Sequence, residues 1–205
     1  MGPLQRLREW RIDRMTDRIA RRPSGRRARA TYGSPDVHSW AWPVVLQSLA
    51  LGEDDRLLDV GCGGGVFLRH ARAVTGCTAV GLDHSPEMVR LARPDAVLGD
   101  AEQLPFEDGT FTAVSSLVAF FFFPDQERAL REMRRVLVPE RGRLAVYTTA
   151  PEAKGSPAAP YPLATRGRFR SDDELRALAA AAGLRNVTVT RPDASGWAQL
   201  LAAQP

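Results

Sequence analysis

Residues 57–65 read Leu-Leu-Asp-Val-Gly-Cys-Gly-Gly-Gly, and Val66-Phe67-Leu68 follow at once. A short apolar run enters a cluster of glycines and leaves as the start of an amphipathic segment. This pattern predicts a buried strand, a tight turn and a helix. Glycine has no Cβ, so the chain can reverse sharply there and a ligand can lie close against bare backbone. The helix that follows presents free N–H groups and a partial positive charge at its N-terminus. A turn of this kind sits at the carboxyl edge of an open α/β sheet, where ligands of such sheets bind.

The rest of the chain agrees with that frame. Strands are expected over residues 56–60, 78–83, 96–98, 111–122 and 143–149, with final strands over 186–190 and 198–202. Helices are expected between them, over 66–74, after Ser85 and after Pro124. Ser85 is an N-cap, Pro86 suits the first helical position, and Pro94 ends that helix. Ala129, Leu130, Met133, Val136 and Leu137 fall on one helical face. Ser171 to Glu174 form a capping box, and Gly183 is a C-terminal stop. Residues 36–50 read as a helix divided by Pro43. Residues 4–20 have a weaker helical period that ends at Pro23-Ser24-Gly25. Apolar strands alternating with helices predict an α/β fold: a Rossmann-like, doubly wound, mostly parallel seven-stranded sheet with an antiparallel edge strand. The long loop over residues 150–170 has the length of a lid or binding loop.

Charge divides the chain. Residues 1–33 hold ten arginines against Glu9, Asp13 and Asp17. They read as a basic N-terminal arm, with the domain proper over 34–205. Such an arm suits a solvated tail or a contact with an anionic surface. It lacks the interleaved aromatics of a nucleic-acid groove between Arg22 and Arg29, so a nucleic-acid partner is not expected. The chain has 27 arginines and one lysine, Lys154, so coding bias is an alternative cause of its basicity. Met15 is an alternative start of the chain. Cys62 and Cys77 show no metal-ligand spacing, and no metal site is expected. No apolar run approaches the roughly 20 residues of a membrane span. The expectation is a cytoplasmic protein in a reducing compartment.

Two ligand classes compete for the glycine turn. A dinucleotide site asks for a small residue at the sixth position of its fingerprint, where this chain has Val66. Asp59 at the strand end would repel a pyrophosphate, yet it would attract the ammonium of an amino acid. From here the sequence resembles the class I S-adenosylmethionine-dependent methyltransferases, of the small-molecule, UbiE-like type, over roughly residues 44–203. Asp59-Val60-Gly61-Cys62-Gly63-Gly64-Gly65 is similar to their first motif. Val80-Gly81-Leu82-Asp83 is similar to the second-strand motif, whose acid takes the ribose hydroxyls. Gly99-Asp100-Ala101-Glu102-Gln103-Leu104-Pro105-Phe106 is similar to the adenine-binding segment. Arg134-Arg135-Val136-Leu137 and Gly142-Arg143-Leu144 resemble the lead-in to the fifth strand. The chain departs from the family by a short passage between Ala92 and Val97 and by Pro139-Glu140-Arg141-Gly142 in place of Pro-Gly-Gly. It also has Phe121 and Phe122 where many relatives carry a histidine pair.

The resemblance implies S-adenosylmethionine (SAM) as cofactor, held by Asp59, Gly61, Cys62, Gly63, Gly65, Asp83, His84, Met88, Asp100, Ala101, Glu102 and Leu117. Trp40, Phe121, Phe122, Tyr161 and Phe169 are expected in an aromatic acceptor pocket, so the acceptor is expected to be a small, partly hydrophobic molecule. His38, Tyr32 and Tyr147 are the weak candidates for a general base. Proximity and desolvation are expected to carry the rate. An RNA methyltransferase using the arginine-rich arm, a non-catalytic SAM-binding protein and a nicotinamide-dependent dehydrogenase are the alternatives.

Overall fold

The structure, a computed structural model, describes Leu4, Gln5, Leu7, Trp10, Arg14, residues 23–161 and residues 163–205. A single sheet of seven strands organises them: β1 Arg56–Val60, β2 Thr78–Asp83, β3 Ala96–Leu98, β4 Ala113–Leu117, β5 Arg143–Thr149, β6 Arg185–Thr190 and β7 Ala198–Gln204. Their spatial order is β3-β2-β1-β4-β5-β7-β6. β1 to β5 are parallel, and β7 runs antiparallel to both β5 and β6. β7 therefore enters the sheet second from its edge, inside β6. The order reverses at β1, so β1 and β4 diverge at a switch point where such sheets leave a crevice.

The helices are α1 Gly25–Tyr32, α2 Trp42–Leu49, α3 Val66–Thr75, α4 Pro86–Ala92, α5 Gln126–Val136 and α6 Asp172–Ala181. Successive strand residues point to opposite faces, and both faces are covered. Leu58, Val60, Leu144 and Val146 pack with α5 and α6 residues such as Leu130, Met133 and Leu175. Leu57, Ala145 and Tyr147 face the other way, onto Val45, Leu49, Phe67 and Ala71 of α2 and α3. Among the described residues, no helix is long and apolar enough to cross a membrane.

Several expected boundaries move. β4 ends at Leu117 instead of running to residue 122: Val118 turns into left-handed backbone at φ 56°, and Phe120–Phe122 form a 3-10 turn. Pro43 does not divide a helix. It lies in the first turn of α2, where its missing N–H has no helical partner to lose. A 3-10 turn, Ser39–Ala41, precedes it. Of residues 4–20, the described Leu4, Gln5, Leu7, Trp10 and Arg14 are helical, and the others lie outside the described residues, as does Met15.

Residues 23–33 pack onto the domain. Ser85 Oγ donates to Pro23 O at 2.7 Å, Gly25 N–H donates to Glu87 at 2.6 Å, and Arg29 pairs with Glu87. α1 thus lies across the start of α4. At its C-terminal end the Tyr32 carbonyl sits where a Cβ on Gly64 would have to go. Arg26 and Arg27 remain exposed.

Candidate active site

A cavity of about 750 Å³ opens at the carboxyl ends of β1, β2 and β4. Its floor is the glycine turn. Gly61, Gly63 and Gly65 all have positive φ, and a Cβ on Gly61 would collide with Ala119. The turn is tied to β2, because the N–H groups of Gly61 and Cys62 donate to Leu82 O at 2.8 and 3.1 Å.

Two buried carboxylates face this floor. Asp59, at 2% exposure, accepts from Ser115 Oγ at 2.7 Å. Burial pushes its pKa up to about 7; the Ser115 bond opposes the rise and nearby Asp83 adds to it. Asp83 accepts from Gly63 N–H at 2.9 Å and from Ser85 N–H at 2.8 Å. Burial raises its pKa too, against the pull of those two bonds. His84 is half exposed beside it, with Nδ1 4.0 Å from the carboxylate. Among the described residues, no lysine or arginine lines the cavity.

The other half of the cavity is apolar. Val37, Trp42, Phe67, Leu117, Val118, Ala119, Phe122 and Phe123 line it, with Tyr32 and His38 as its polar members. Trp42 is braced by Phe67 and by His70, with ring centroids 6.3 and 4.6 Å away. Burial, and then Asp83, raise the Tyr32 pKa to about 12. Burial lowers that of His38 to about 4.

Of the residues singled out from sequence, Asp59, Gly61, Cys62, Gly63, Asp83, His84, Asp100, Ala101, Leu117, Phe122, Tyr32 and His38 line this one cavity. The structure does not bring the others to it. Gly65 caps α3, and its α-carbon faces Ala92. Met88 is fully buried in α4. Glu102 turns outward and accepts from Asp125 N–H at 2.7 Å. Phe121 and Phe169 stack on each other at 5.0 Å, in a separate cluster with Ala153, Ala159 and Ala164. Tyr161 and Trp40 are 67% and 62% exposed. Tyr147 is buried in the sheet. The 150–170 loop therefore covers the Phe121 cluster, and none of its described residues lines the cavity. Sequence reasoning missed Val37, Phe67 and Val118. The apolar period over 36–50 was a signal for Val37, but it reads equally as core.

The site fits SAM on its own geometry. Bare backbone at residues 61–64 admits close approach, and buried carboxylates without a lining cation suit a ligand that carries positive charge. Among the described residues there is no group of three His, Cys, Asp or Glu side chains able to hold a metal ion.

The family model described as a methyltransferase domain matches residues 58–146. "Probable tRNA methyltransferase 9B" of Homo sapiens is 37% identical over 126 residues, which cover 58% of this chain and 27% of that protein. Demethylmenaquinone methyltransferase of Thermus thermophilus is 39% identical over 49% of this chain and 50% of its own length. Malonyl-[acyl-carrier protein] O-methyltransferase of Geobacter sulfurreducens is 35% identical over 69% and 60%. The chain thus spans from about a quarter to 60% of these relatives. A methyltransferase solved in complex with the Haloferax volcanii Trm112 methyltransferase activator superposes with a TM-score of 0.71 at 25% identity, over 86% of this chain and 93% of that one. Residues 58–146 thus match a methyltransferase domain, and the sheet order and the buried carboxylates beside a glycine turn agree with that match.

Proposed function

We propose that this chain transfers a methyl group from SAM to a small, largely apolar acceptor. One observation carries the reading: a single cavity joins two buried carboxylates over bare backbone to a wall of apolar and aromatic side chains. The cofactor, when bound, supplies an electrophilic methyl on a sulfonium. Asp59 takes the ammonium of its amino-acid end, and the turn at residues 61–64 leaves room for that end against the backbone. Asp83 accepts from the ribose hydroxyls, a task a carboxylate performs with two oxygens at once. Asp100 and Ala101 lie at the adenine end. Trp42, Phe67, Val118 and Phe122 exclude water and align the acceptor, so orientation supplies most of the rate.

Calorimetry with SAM and with S-adenosylhomocysteine tests the reading. Asp83→Asn is expected to weaken both by on the order of tenfold or more, the loss of a charged hydrogen bond of about 1.5–3 kcal/mol. Absence of binding by folded wild-type protein would remove the proposal.

A second reading has its own support in the similarity to a tRNA methyltransferase and in the exposed arginines of α1. It predicts methyl transfer to tRNA that falls steeply with salt and is lost when Arg26 and Arg27 become glutamate. Binding of the cofactor with no transfer to small molecules or to tRNA would instead mark a non-catalytic SAM-binding protein.

A further inference from the structure

The acceptor half of the cavity contains two non-glycine residues in left-handed backbone, His38 at φ 55° and Val118 at φ 56°. For a β-branched residue such as Val118 that region is a genuine outlier. Strain of this kind persists only where its surroundings over-determine it, and it gathers at ligand clamps. Val118 N–H donates to Tyr147 O of β5 at 2.8 Å. Trp40 stands edge-on to His38, with ring centroids 5.1 Å apart. Tyr32 flanks the imidazole from α1, 6.4 Å away.

The state of the imidazole follows from what surrounds it. Its Nδ1 is buried and has no hydrogen-bond partner among the described residues, although the ring lines the cavity. A buried N–H without a partner is rarer than an unpaired lone pair, which places the proton on Nε2. Burial keeps the ring neutral, and no charged group shifts it the other way. With Nδ1 turned into the protein, the edge left for the cavity is the Nε2–H edge, a donor.

We infer that His38 is an acceptor-binding residue, donating from Nε2–H to an acidic oxygen of a methyl acceptor that enters as its conjugate base, a phenolate or enolate. This deepens the methyl-transfer reading and rests on it. Among the described residues, the apolar half offers no ionised base, since the carboxylates lining the cavity lie on the cofactor side. An acceptor that must first lose a proton to the protein, such as an aliphatic alcohol, has nothing to take it. With an oxyanion no proton has to move. Its lone pair forms the new bond to the methyl carbon as the carbon–sulfur bond breaks. The sulfur keeps that electron pair and loses its positive charge, and His38 keeps its proton.

Two measurements on the full chain test the inference. Histidine-labelled nitrogen NMR, with His38 assigned through His38→Gln, is expected to show the Nε2–H tautomer unchanged from about pH 8 to pH 5, well clear of the unperturbed imidazole range. An Nδ1–H tautomer, or titration inside that range, overturns the inference. 4-Nitrophenol, titrated in the presence of S-adenosylhomocysteine and followed by its phenolate absorbance, is expected to bind ionised. His38→Gln sets an amide N–H near the Nε2 position, so binding should stay within about threefold; His38→Ala and His38→Asn should lose about tenfold or more. Binding as the neutral phenol, no binding, or equal binding by all variants overturns it. Calorimetry with S-adenosylhomocysteine separates the two levels: its binding should be unchanged in every variant, and its absence from the wild type would instead remove the methyl-transfer reading beneath.

Discussion

The two carboxylates give the site its pH behaviour. Asp59 has a folded pKa of about 7, raised from 3.8 by burial. The folded chain therefore holds a proton that the unfolded chain has lost, and Asp59 costs stability progressively as pH rises from about 4 to 7. An ammonium ligand favours the ionised form, so affinity for S-adenosylhomocysteine should fall by up to about tenfold per pH unit below pH 7. Calorimetry in buffers of different ionisation enthalpy should then detect one proton released on binding at pH 6. Asp59→Asn should abolish that proton release, weaken the ligand and flatten the rise in melting temperature as pH is lowered from 7 to 5. At Gly64 the constraint is steric. Gly64→Ala drives a methyl into the Tyr32 carbonyl, and unfolding in urea should show a loss of about 1–3 kcal/mol, the usual cost of overpacking. The residues most legible in the sequence were those whose chemistry is local: Asp59, the glycines, Asp83 and Asp100 stand in short fixed motifs. Val118 and Phe123 reach the cavity because the chain bends sharply after β4, and no residue type there announces the bend.

At the scale of elements, caps and register were readable while ends were less so. β2, β3 and β5 have the bounds expected of them, and the Ser171 capping box closes through Glu174 as its spacing requires. The error lay in the aromatic run after β4. Phenylalanine favours strands, so residues 118–122 read as a continuation of one. Tertiary demand overrode that preference: Phe120 belongs to the core beneath α5, and Phe121 packs outward on Phe169. Ser85 joins two elements, capping α4 through Met88 N–H at 3.4 Å and holding Pro23 at 2.7 Å. Ser85→Ala should cost about 1 kcal/mol for the cap, a fall of roughly 2–4 °C in Tm for a chain of this size.

Across the whole molecule, the basic arm and the domain were drawn apart at residue 33, yet residues 23–33 are held by Ser85, Glu87 and the glycine turn. Composition could not show this, because one of the arginines that make the stretch look like a tail, Arg29, pairs with Glu87 of the domain. Glu87→Gln removes the ion pair to Arg29 and should speed limited proteolysis between residues 23 and 33, with bound S-adenosylhomocysteine restoring protection. The position of α1 also divides the cavity by ancestry of its parts. The sheet edge supplies the cofactor side from four separate strands and their loops, while Tyr32, Val37, His38 and Trp42 come from one uninterrupted stretch near the start of the chain. Exchanging the eleven codons of residues 32–42 would therefore reshape part of the acceptor wall while leaving Asp59 and Asp83 in place.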